Sequence, residues 1–396
     1  MKLSFVNFTK HIFMGAMCLT MLFTLSESAF ASTSSKTIIS KKTSTAKRSA
    51  STGAAIQNLL NNPDSAVWVR KGKSGIIISK DSLGLVRALT PSSVNSAAAR
   101  RYAEMVNRYA AALKDDGVRV YACPVPSQGD YYMPEIAGSQ GNERKNIYIA
   151  AEALDPGVTM VYICDTLANH TAEEIYNRTD HHWSPLGGYY GAKALAEAAG
   201  VYFRPLSDYT TDTVPNYVGT MYKYSGDPQV NKYPENFVYF MPPEGYESEF
   251  IMYNVTKGKT TGEGKPYKSN FFKRFTGASS YCTFMGGDLY TVKVTNTGGT
   301  PGRKLLIVKD SFGNAMPSNL FGSFEEVHVI DFRYFPHNLL DYVRDNGITD
   351  LALVNAIVMA VSPTWQNRYD IMFNAKSKHK VSTGEDEAEE ATDSAE

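Results

Sequence analysis

The sequence predicts an α/β domain with a largely parallel sheet. Apolar strand patterns alternate with helical patterns along most of the chain, and turn-forming or polar residues follow several strands where those strands end. Such alternation is typical of a parallel sheet, in which each helix carries the chain back across the sheet. Active sites in these sheets lie beyond the carboxyl ends of the strands. Functional residues are therefore expected directly after the predicted strands.

The predicted elements begin with an alanine-rich helix at residues 92–113, in which Tyr102, Val106 and Tyr109 recur at helical spacing. A buried strand at residues 118–125 follows. The remaining predicted elements are a helix at 146–154, a strand at 158–164, a short helix at 171–176, a helix at 185–199 closed by Gly200, strands at 305–308 and 327–332, a helix at 339–343 and a strand at 351–354.

Composition and charge are those of an ordinary folded protein. The 396 residues include 40 basic and 40 acidic side chains, and 43% of the residues are hydrophobic. A balanced charge gives no attraction to a polyanion, so no nucleic-acid partner is predicted. The length allows one large domain with a sizeable core.

Residues 1–31 have the pattern of a secretory signal peptide. Lys2 and Lys10 precede an apolar run at residues 12–25, and Ala29-Phe30-Ala31 has the pattern of a signal-peptidase cleavage site. The apolar run is short for a membrane-spanning helix. The mature protein is therefore expected to be secreted or extracytoplasmic and associated with the cell envelope.

The two ends of the mature chain lack the apolar residues that a core requires. Residues 32–53 are rich in Ser, Thr, Lys and Ala without any acidic residue, which predicts a disordered basic linker. Residues 376–396 are predicted to form a disordered acidic tail. The folded domain is accordingly predicted to span residues 54–375.

The segment at about 202–290 differs from its surroundings. It is rich in Gly, Pro and Lys, shows short strand patterns, and holds about half of the chain's 25 tyrosines. These features predict a tyrosine-rich, β-rich insertion. Tyrosine faces can pack against sugar rings while their hydroxyls form hydrogen bonds, and the alternative is a β-hairpin that covers the sheet edge.

Cysteine chemistry is not favoured. Removal of the signal peptide leaves Cys123, Cys164 and Cys282, and an odd number leaves at least one free thiol. No disulfide framework is predicted.

The stretch Asp180-His181-His182-Trp183 places a carboxylate two residues before an imidazole. Residues i and i+2 of an extended segment share a face, so Asp180 is expected to accept the Nδ1 proton of His182 while His181 points elsewhere. Ser184 and Pro185 then have the residue types of an N-cap and a first helical position. The arrangement supplies the base and the orienting acid of a catalytic triad.

The candidate nucleophile is Ser311, in the sequence Asp310-Ser311-Phe312-Gly313-Asn314 that follows the strand at 305–308. A strand, a sharp turn and a serine have the logic of a nucleophile elbow, although the G-x-S-x-G motif is absent. Backbone N–H groups of such a turn are expected to form an oxyanion hole. The hypothesis is a Ser311-His182-Asp180 triad.

Other interpretations of these residues are open. A histidine beside an aromatic residue is often a packed core residue, and Ser311 taken alone is compatible with a simple turn. The adjacent histidines also suggest a metal site. Neither an H-E-x-x-H motif nor a nearby Cys/His cluster supplies the further ligands, so no metal is predicted.

The two motifs together resemble the DHHW protein family, a branch of the SGNH-hydrolase-like group that includes the periplasmic alginate O-acetyltransferases. Asp180 to Trp183 spell the family's name motif, and the D-x-H pair precedes the serine as in that group. The resemblance covers roughly residues 68–363. It implies an SGNH-hydrolase-like three-layer domain with Asp180 as acid, His182 as base and Ser311 as nucleophile.

The same resemblance suggests where substrate binds. It implies that Arg333 lies near the substrate and that the loop after the strand at 118–125 lies beside the nucleophile, so Ser127, Gln128 and Tyr132 are predicted substrate-binding residues. Alternatively, Arg333 pairs with an acidic neighbour and the loop is a plain strand exit.

These observations predict an enzyme without a cofactor, a serine O-acetyltransferase or acetylesterase that acts on a cell-surface polysaccharide through an acyl-enzyme. The resemblance suggests a membrane O-acyltransferase as a partner that donates the acyl group. The shared acyl-enzyme does not distinguish transfer from hydrolysis, and transfer is favoured. The alternative is a non-catalytic glycan-binding or cell-wall assembly protein on the same fold.

Overall fold

The structure is a computed structural model that describes residues 68–379. Its centre is a mixed sheet of nine strands. The described strands are β1 (Trp68–Lys71), β2 (Ile77–Lys80), β3 (Val86–Leu89), β4 (Arg119–Val125), β5 (Val158–Met160), β6 (Thr210–Tyr217), β7 (Glu235–Met241), β8 (Glu247–Thr256), β9 (Lys259–Glu263), β10 (Tyr267–Lys268), β11 (Tyr290–Thr295), β12 (Thr300–Lys309), β13 (Phe324–Asp331) and β14 (Asp350–Ala356). The large sheet has the order β10-β8-β11-β13-β12-β14-β4-β5, and β9 pairs with β8.

Five neighbouring strands, from β13 through β12, β14 and β4 to β5, pair in parallel. All seven residues of β14 are buried, and so are residues 305–309 of β12. A parallel strand that is covered on both faces needs apolar side chains on both, which gives a continuous apolar run in the sequence. The predicted parallel sheet is therefore present within a mixed α/β fold.

The tyrosine-rich segment extends this sheet at its other side. Strands β11, β8 and β10 continue beyond β13 by antiparallel pairing. Strands β6 and β7 form a separate two-stranded sheet. The segment is rich in β-structure as expected, but it adds an antiparallel part to the sheet that the strand patterns did not predict. Its origin as an insertion stays a prediction.

The described helices flank these strands. They are α1 (Ser96–Ala112), α2 (Gly129–Tyr132), α3 (Asn142–Ala151), α4 (Ile163–Ala168), α5 (Pro185–Ala199), α6 (Met221–Ser225), α7 (Pro228–Lys232), α8 (Leu339–Asp345), α9 (Ile357–Ala360) and α10 (Pro363–Asn374). Helix α1 packs against α3 and α10, and the Tyr109 hydroxyl donates to the Tyr369 carbonyl at 2.8 Å. The three-layer arrangement stays a prediction.

Two predicted elements are wrong. The strand expected at residues 158–164 ends at Met160, and Cys164 lies in helix α4, because short apolar runs do not distinguish a strand from a buried helix. The helix expected at residues 171–176 is not formed. Instead, Tyr176 makes an antiparallel bridge with Trp183, and Ser184 N–H donates to the Ile175 carbonyl at 3.0 Å. Tertiary pairing overrides the local helical preference there.

Strands β1, β2 and β3 form a small antiparallel sheet with its own apolar cluster. The cluster joins this sheet to helices α6 and α7 and consists of Trp68, Ile76, Ile78, Val86, Ala88, Met221 and Val230. It holds β3 beside the loop that follows β4, where the Gln128 side chain donates to the Ala88 carbonyl at 3.0 Å.

The predicted signal peptide at residues 1–31, the basic linker at 32–53 and most of the acidic tail lie outside the described residues. Ser377, near the start of that tail, donates to Asp341 Oδ1 at 2.7 Å. None of the helices within residues 68–379 has the length and apolar character required to cross a membrane. Cys123, Cys164 and Cys282 are all free thiols, as expected.

Candidate functional site

The histidine loop, residues 177–184, connects the Tyr176 bridge to helix α5. Ser184 caps this helix by accepting a hydrogen bond from Gly187 N–H at 3.2 Å, and Pro185 is the first helical residue. At the other end of the loop, the Asn177 side-chain amide donates to the Trp183 carbonyl at 2.9 Å. The predicted cap is confirmed, and both ends of the loop are fixed.

The serine turn, the 3₁₀ helix Ser311–Ala315, directly follows strand β12. Asp310 caps it, because its carboxylate accepts hydrogen bonds from Phe312 N–H and from Ala356 N–H, each at 2.9 Å. The second bond joins the turn to the end of β14. Burial raises the pKa of Asp310 to about 6, although the charge of Arg333 opposes this rise.

Helix α5 brings the loop and the turn together. A Cβ atom at Gly188 would lie 2.6 Å from the Ala315 carbonyl oxygen, so the start of α5 contacts the serine turn without space for a side chain. The Trp183 indole N–H donates to the Phe312 carbonyl at 2.6 Å. The two sequence motifs therefore pack directly against each other across 129 residues of chain.

Asp180, His182 and Ser311 form a continuous chain of hydrogen bonds. His182 Nδ1 lies 2.6 Å from Asp180 Oδ1, and His182 Nε2 lies 2.8 Å from Ser311 Oγ. These are the contacts that a base makes with its orienting acid and its nucleophile. All three predicted catalytic residues are thus brought together, and their exposed fractions are only 1%, 6% and 9%.

The Asp180 carboxylate is held from several directions. Its Oδ1 atom also accepts a hydrogen bond from His182 N–H at 3.1 Å, and its Oδ2 atom accepts from Thr220 N–H at 2.8 Å and from the Thr220 hydroxyl at 2.7 Å. Burial alone would raise the pKa of Asp180, but His181, His182 and the hydrogen bond from Thr220 hold it well below its usual value. The carboxylate is therefore ionised at neutral pH.

His181 does not point away from the site, contrary to expectation. Its ring centroid lies 3.7 Å from that of His182, and its Nδ1 atom lies 3.5 Å from Asp180 Oδ1 and 2.8 Å from Thr220 Oγ1. The tight turn of the histidine loop directs both rings to the same carboxylate. Burial, with a smaller effect of His182, lowers the pKa of His181 to about 3.

Tyr281 packs against the other face of His182. The two ring centroids are 3.9 Å apart with an angle of 7° between the planes, and the Tyr281 hydroxyl donates to the Phe312 carbonyl at 2.9 Å. Since His181 also contacts the His182 ring face, the imidazole of His182 lies between two rings. This packing restricts its rotation.

The serine turn does not offer all its N–H groups to a ligand. Phe312 N–H donates to Asp310 Oδ1, and Gly313 N–H donates to the Asp310 carbonyl at 3.0 Å. The expectation that the N–H groups around Ser311 together form an oxyanion hole is therefore wrong for these two groups. The reason is that the turn uses them for its own cap.

Arg333 belongs to a group of four charged residues beside the triad. This group, called the ion cluster, consists of Asp288, Lys309, Asp331 and Arg333. Arg333 donates to both carboxylate oxygens of Asp331, at 2.8 and 2.6 Å, and also contacts Asp288 at 3.0 Å. Lys309 Nζ lies between the same two carboxylates, at 2.9 Å from Asp331 and 3.2 Å from Asp288. The alternative pairing of Arg333 with acidic neighbours is thus present, and its role in substrate binding stays a prediction.

The predicted substrate-binding residues of the loop after β4 contact other parts of the protein. The Ser127 hydroxyl donates to Glu143 at 2.8 Å. The buried Gln128 side chain donates to the Asp180 carbonyl at 2.9 Å, which supports the histidine loop. Tyr132 donates to the Thr171 carbonyl at 3.0 Å, and the Arg87 guanidinium stacks on its ring at 3.9 Å. Substrate binding by these residues stays a prediction.

Among the described residues, Asp180, His181 and His182 present three potential metal-ligand atoms within 4.8 Å of one another. Both ring nitrogens of His182 are already within hydrogen-bonding distance of Asp180 and Ser311. A metal ion bound by His182 would have to replace one of these contacts. The predicted lack of a metal stays a prediction.

The sequence motifs did not predict three residues of the site: Thr220, Tyr281 and Asp288. All three come from the tyrosine-rich segment at 202–290. The only sequence signals were the tyrosine content of the segment and the Gly286-Gly287 pair, whose positive φ angles of 80° and 108° mark a sharp turn before Asp288. Neither signal shows that these side chains reach Asp180 or His182.

Comparison with known proteins supports these assignments of fold and motif. The DHHW protein family model matches residues 79–330. A solved DHHW family protein from Eubacterium siraeum DSM 15702 is 34% identical, with a TM-score of 0.67 over 77% of this chain and 97% of that one. Bacillus cereus PatB1, solved with a sulfonyl adduct, is 18% identical, with a TM-score of 0.60 over 76% of this chain and 99% of that one. None of the curated proteins matches.

The similarity to PatB1 concerns the fold, because the identity is low. The family assignment rests on the match of the family model over more than half of the chain and on the 34% identical relative, which aligns over nearly its whole length. The chain therefore belongs to the DHHW protein family.

Proposed function

We propose that this protein is an extracytoplasmic serine O-acetyltransferase or acetylesterase that acts on a cell-surface polysaccharide. The observation that carries the proposal is the hydrogen-bond chain from Asp180 Oδ1 through His182 to Ser311 Oγ. Membership of the DHHW family supports the acyl chemistry through the resemblance of that family to the alginate O-acetyltransferases. The signal-peptide pattern of residues 1–31 supports the extracytoplasmic location.

In the first half of the reaction, Ser311 Oγ attacks the acyl carbon while His182 Nε2 accepts the hydroxyl proton. Asp180 keeps the Nδ1 proton on the ring and stabilises the positive imidazolium. The tetrahedral intermediate then releases its alcohol, which takes the proton from His182 Nε2. The product is an acyl ester on Ser311.

In the second half, a sugar hydroxyl or water attacks the same acyl carbon. His182 Nε2 accepts the proton of the attacking oxygen and returns it to Ser311 Oγ as the ester bond to the enzyme breaks. Transfer exceeds hydrolysis where a bound hydroxyl is oriented better than water. Orientation can raise the effective concentration of that hydroxyl to roughly 10⁵ M. A membrane O-acyltransferase as the source of the acyl group is part of this proposal.

The test is covalent labelling of the nucleophile. Purified protein is incubated with para-nitrophenyl acetate or with a sulfonyl fluoride, a reagent class chosen because PatB1 has been solved with a sulfonyl adduct. Peptide mass spectrometry is expected to find one acyl or sulfonyl group on Ser311. Ser311→Ala should lose this label. The control Ser207→Ala, which alters an exposed serine, should keep the label on Ser311. If Ser311 stays unmodified while a control esterase reacts, the acyl-enzyme proposal is wrong and the result favours the alternative, a non-catalytic glycan-binding or cell-wall assembly protein.

A further inference from the structure

Within the described part of the chain, two hydrogen-bond acceptors beside the triad can accept further hydrogen bonds. They are Nε2 of His181 and a carboxylate oxygen of Asp288, and neither takes part in the chain from Asp180 to Ser311. Their positions are defined by the hydrogen bonds that their other atoms make. A group of unfilled acceptors next to a nucleophile selects for a ligand that is rich in hydrogen-bond donors.

The protonation of His181 follows from its neighbours. Thr220 Oγ1 lies 2.7 Å from Asp180 Oδ2, and an ionised carboxylate only accepts, so the hydroxyl hydrogen of Thr220 points to Asp180. Thr220 Oγ1 also lies 2.8 Å from His181 Nδ1. Because its single hydrogen is already used, Oγ1 accepts this bond and His181 Nδ1 carries the proton. In a neutral imidazole, Nε2 then carries the lone pair.

This Nε2 atom is buried and has no hydrogen-bond partner within the described part of the chain. A buried acceptor without a donor is unfavourable, so an unfilled one calls for an explanation. The His181 and His182 rings contact each other, and both direct Nδ1 towards Asp180 Oδ1, at 3.5 and 2.6 Å. Their Nε2 atoms therefore both lie on the side away from Asp180, which for His182 is the side of Ser311.

Asp288 is the accessible end of the ion cluster. Its side chain is 24% exposed, whereas those of Lys309, Asp331 and Arg333 are at most 3% exposed. Asp288 Oδ1 lies within hydrogen-bonding distance of Lys309 Nζ and of the Asn314 side-chain amide, while Oδ2 contacts Arg333. A carboxylate oxygen has more than one lone pair, so Oδ2 can accept a hydrogen bond from a ligand beside its contact with Arg333. Asn314 belongs to the serine turn, and its bond of 2.8 Å holds Asp288 to that turn.

We propose that His181 Nε2 and Asp288 Oδ2 form a subsite for the alcohol part of the substrate, in which a second hydroxyl, adjacent to the one that reacts, shares its single hydrogen between these two acceptors in a three-centre hydrogen bond. This inference rests on the proposed acyl-transfer function and names its substrate class, an alcohol with neighbouring hydroxyls such as a sugar ring. A second hydroxyl is required because the attacking hydroxyl has one proton, and that proton goes to His182 Nε2. The His181 side chain is 16% exposed in the free protein while its Nε2 atom is buried, so binding at this subsite requires a local movement that uncovers Nε2.

The chemical balance of the transfer step is unchanged by the subsite. The acceptor oxygen forms a bond to the acyl carbon, and the bond from that carbon to Ser311 Oγ breaks. The acceptor proton passes to His182 Nε2 and then to Ser311 Oγ. His181 and Asp288 keep their protonation states and act only by orienting the acceptor.

The experiment measures how acetylated Ser311 partitions between alcohols. Full-length protein is acetylated with para-nitrophenyl acetate in the presence of propylene glycol, a vicinal diol, or of n-propanol, and acetylated alcohol and free acetate are quantified. We expect the wild type to prefer the diol per hydroxyl group by about tenfold, the effect of roughly one additional hydrogen bond.

His181 variants identify the atom responsible. In His181→Asn the shorter amide can still donate to Thr220 but leaves no acceptor at the Nε2 position, so the diol preference should fall to about twofold or less. In His181→Gln the longer side chain places a carbonyl oxygen near that position and should restore part of the preference. Asp288→Asn should lower the preference as well. Asn314→Ala is the matched control, because it removes the tether to Asp288 but keeps the carboxylate, and is expected to slow acetylation with the diol preference retained.

The outcomes separate this inference from the proposed function. The subsite is disproved if wild-type Ser311 is acetylated but shows no preference for the diol, or if His181→Asn slows acetylation and transfer to both alcohols by the same factor. The latter result identifies His181 as a structural residue. Absence of acetyl on wild-type Ser311 instead overturns the proposed function, and the subsite with it. Melting temperatures of all variants exclude loss of folding as the cause.

Discussion

Thr220 donates both its backbone N–H and its hydroxyl to Oδ2 of Asp180, at 2.8 and 2.7 Å. The approach is close, since a Cβ atom on the preceding residue, Gly219, would lie 2.4 Å from the Asp180 Cβ. The contact crosses 40 residues of sequence and joins the tyrosine-rich segment to the acid of the candidate triad. That segment is therefore a structural part of the site.

Replacement of Thr220 by valine should slow acetylation of Ser311. Thr220→Val keeps the shape and the backbone donor but removes the hydroxyl hydrogen bond to an ionised carboxylate, which is typically worth roughly 1.5–3 kcal/mol. A tenfold to hundredfold lower rate is expected, measured as para-nitrophenol release in a single turnover. Thr220→Ser, which retains a hydroxyl, should stay within about threefold of the wild type. Equal rates for the valine and serine variants would show that the hydroxyl has no part in holding Asp180.

His182→Ala should reduce the acetylation rate of Ser311 by about 10³-fold or more, because loss of one triad member removes most of the contribution of the whole triad. His337→Ala is the control, since it alters an exposed histidine that pairs with Glu263. Elemental analysis and treatment with a chelator accompany this measurement. Stoichiometric zinc, with activity that disappears on chelation and returns with zinc, would establish Asp180, His181 and His182 as metal ligands instead.

Gly188→Ala should destabilise the fold. The added methyl group would lie 2.6 Å from the Ala315 carbonyl oxygen, so helix α5 must shift away from the serine turn. Overpacking of this kind costs about 1–3 kcal/mol in the free energy of unfolding, which urea denaturation measures. The control is Gly157→Ala, where no heavy atom lies within 4 Å of the added carbon. A stable Gly188→Ala protein with normal labelling of Ser311 would show that the loop and the turn do not need this close contact.

Glu143→Gln should flatten the dependence of stability on pH. Burial raises the pKa of Glu143 from 4.5 to about 7, against hydrogen bonds from Ser127 that lower it. The folded state thus binds this proton more tightly than the unfolded state, so this group destabilises the fold progressively as the pH rises from 4.5 to 7, by about 3 kcal/mol in total.

Urea denaturation of wild type and Glu143→Gln at a series of pH values isolates this effect, because the wild-type contribution of other carboxylates is common to both proteins. The difference in unfolding free energy should change in favour of Glu143→Gln between pH 4.5 and 7 and stay level above that range. Glu104→Gln, at an exposed position of helix α1, serves as the control. A constant difference across the range would mean that Glu143 titrates at the same pH in the folded and unfolded protein.

Several elements of the site were predictable from local sequence. The cap by Ser184 and Pro185 requires only the first turn of a helix, and an i, i+2 spacing is enough to place Asp180 beside His182 in a tight loop. The apolar run of β12 followed by Asp310 and Ser311 likewise predicts a buried strand that ends in a turn. Each depends on neighbours along the chain, whose geometry the backbone fixes.

The sequence by itself therefore determined the parallel strands, the helix behind the histidine loop, the family and the three residues Asp180, His182 and Ser311. Only the tertiary structure decided that His181 also faces Asp180, that Arg333 is paired within the ion cluster, and that Thr220 and Tyr281 hold the acid and the base. The physical reason is that local sequence patterns report the conformation of adjacent residues, whereas the partners of buried charges and rings are set by packing between segments far apart in the chain.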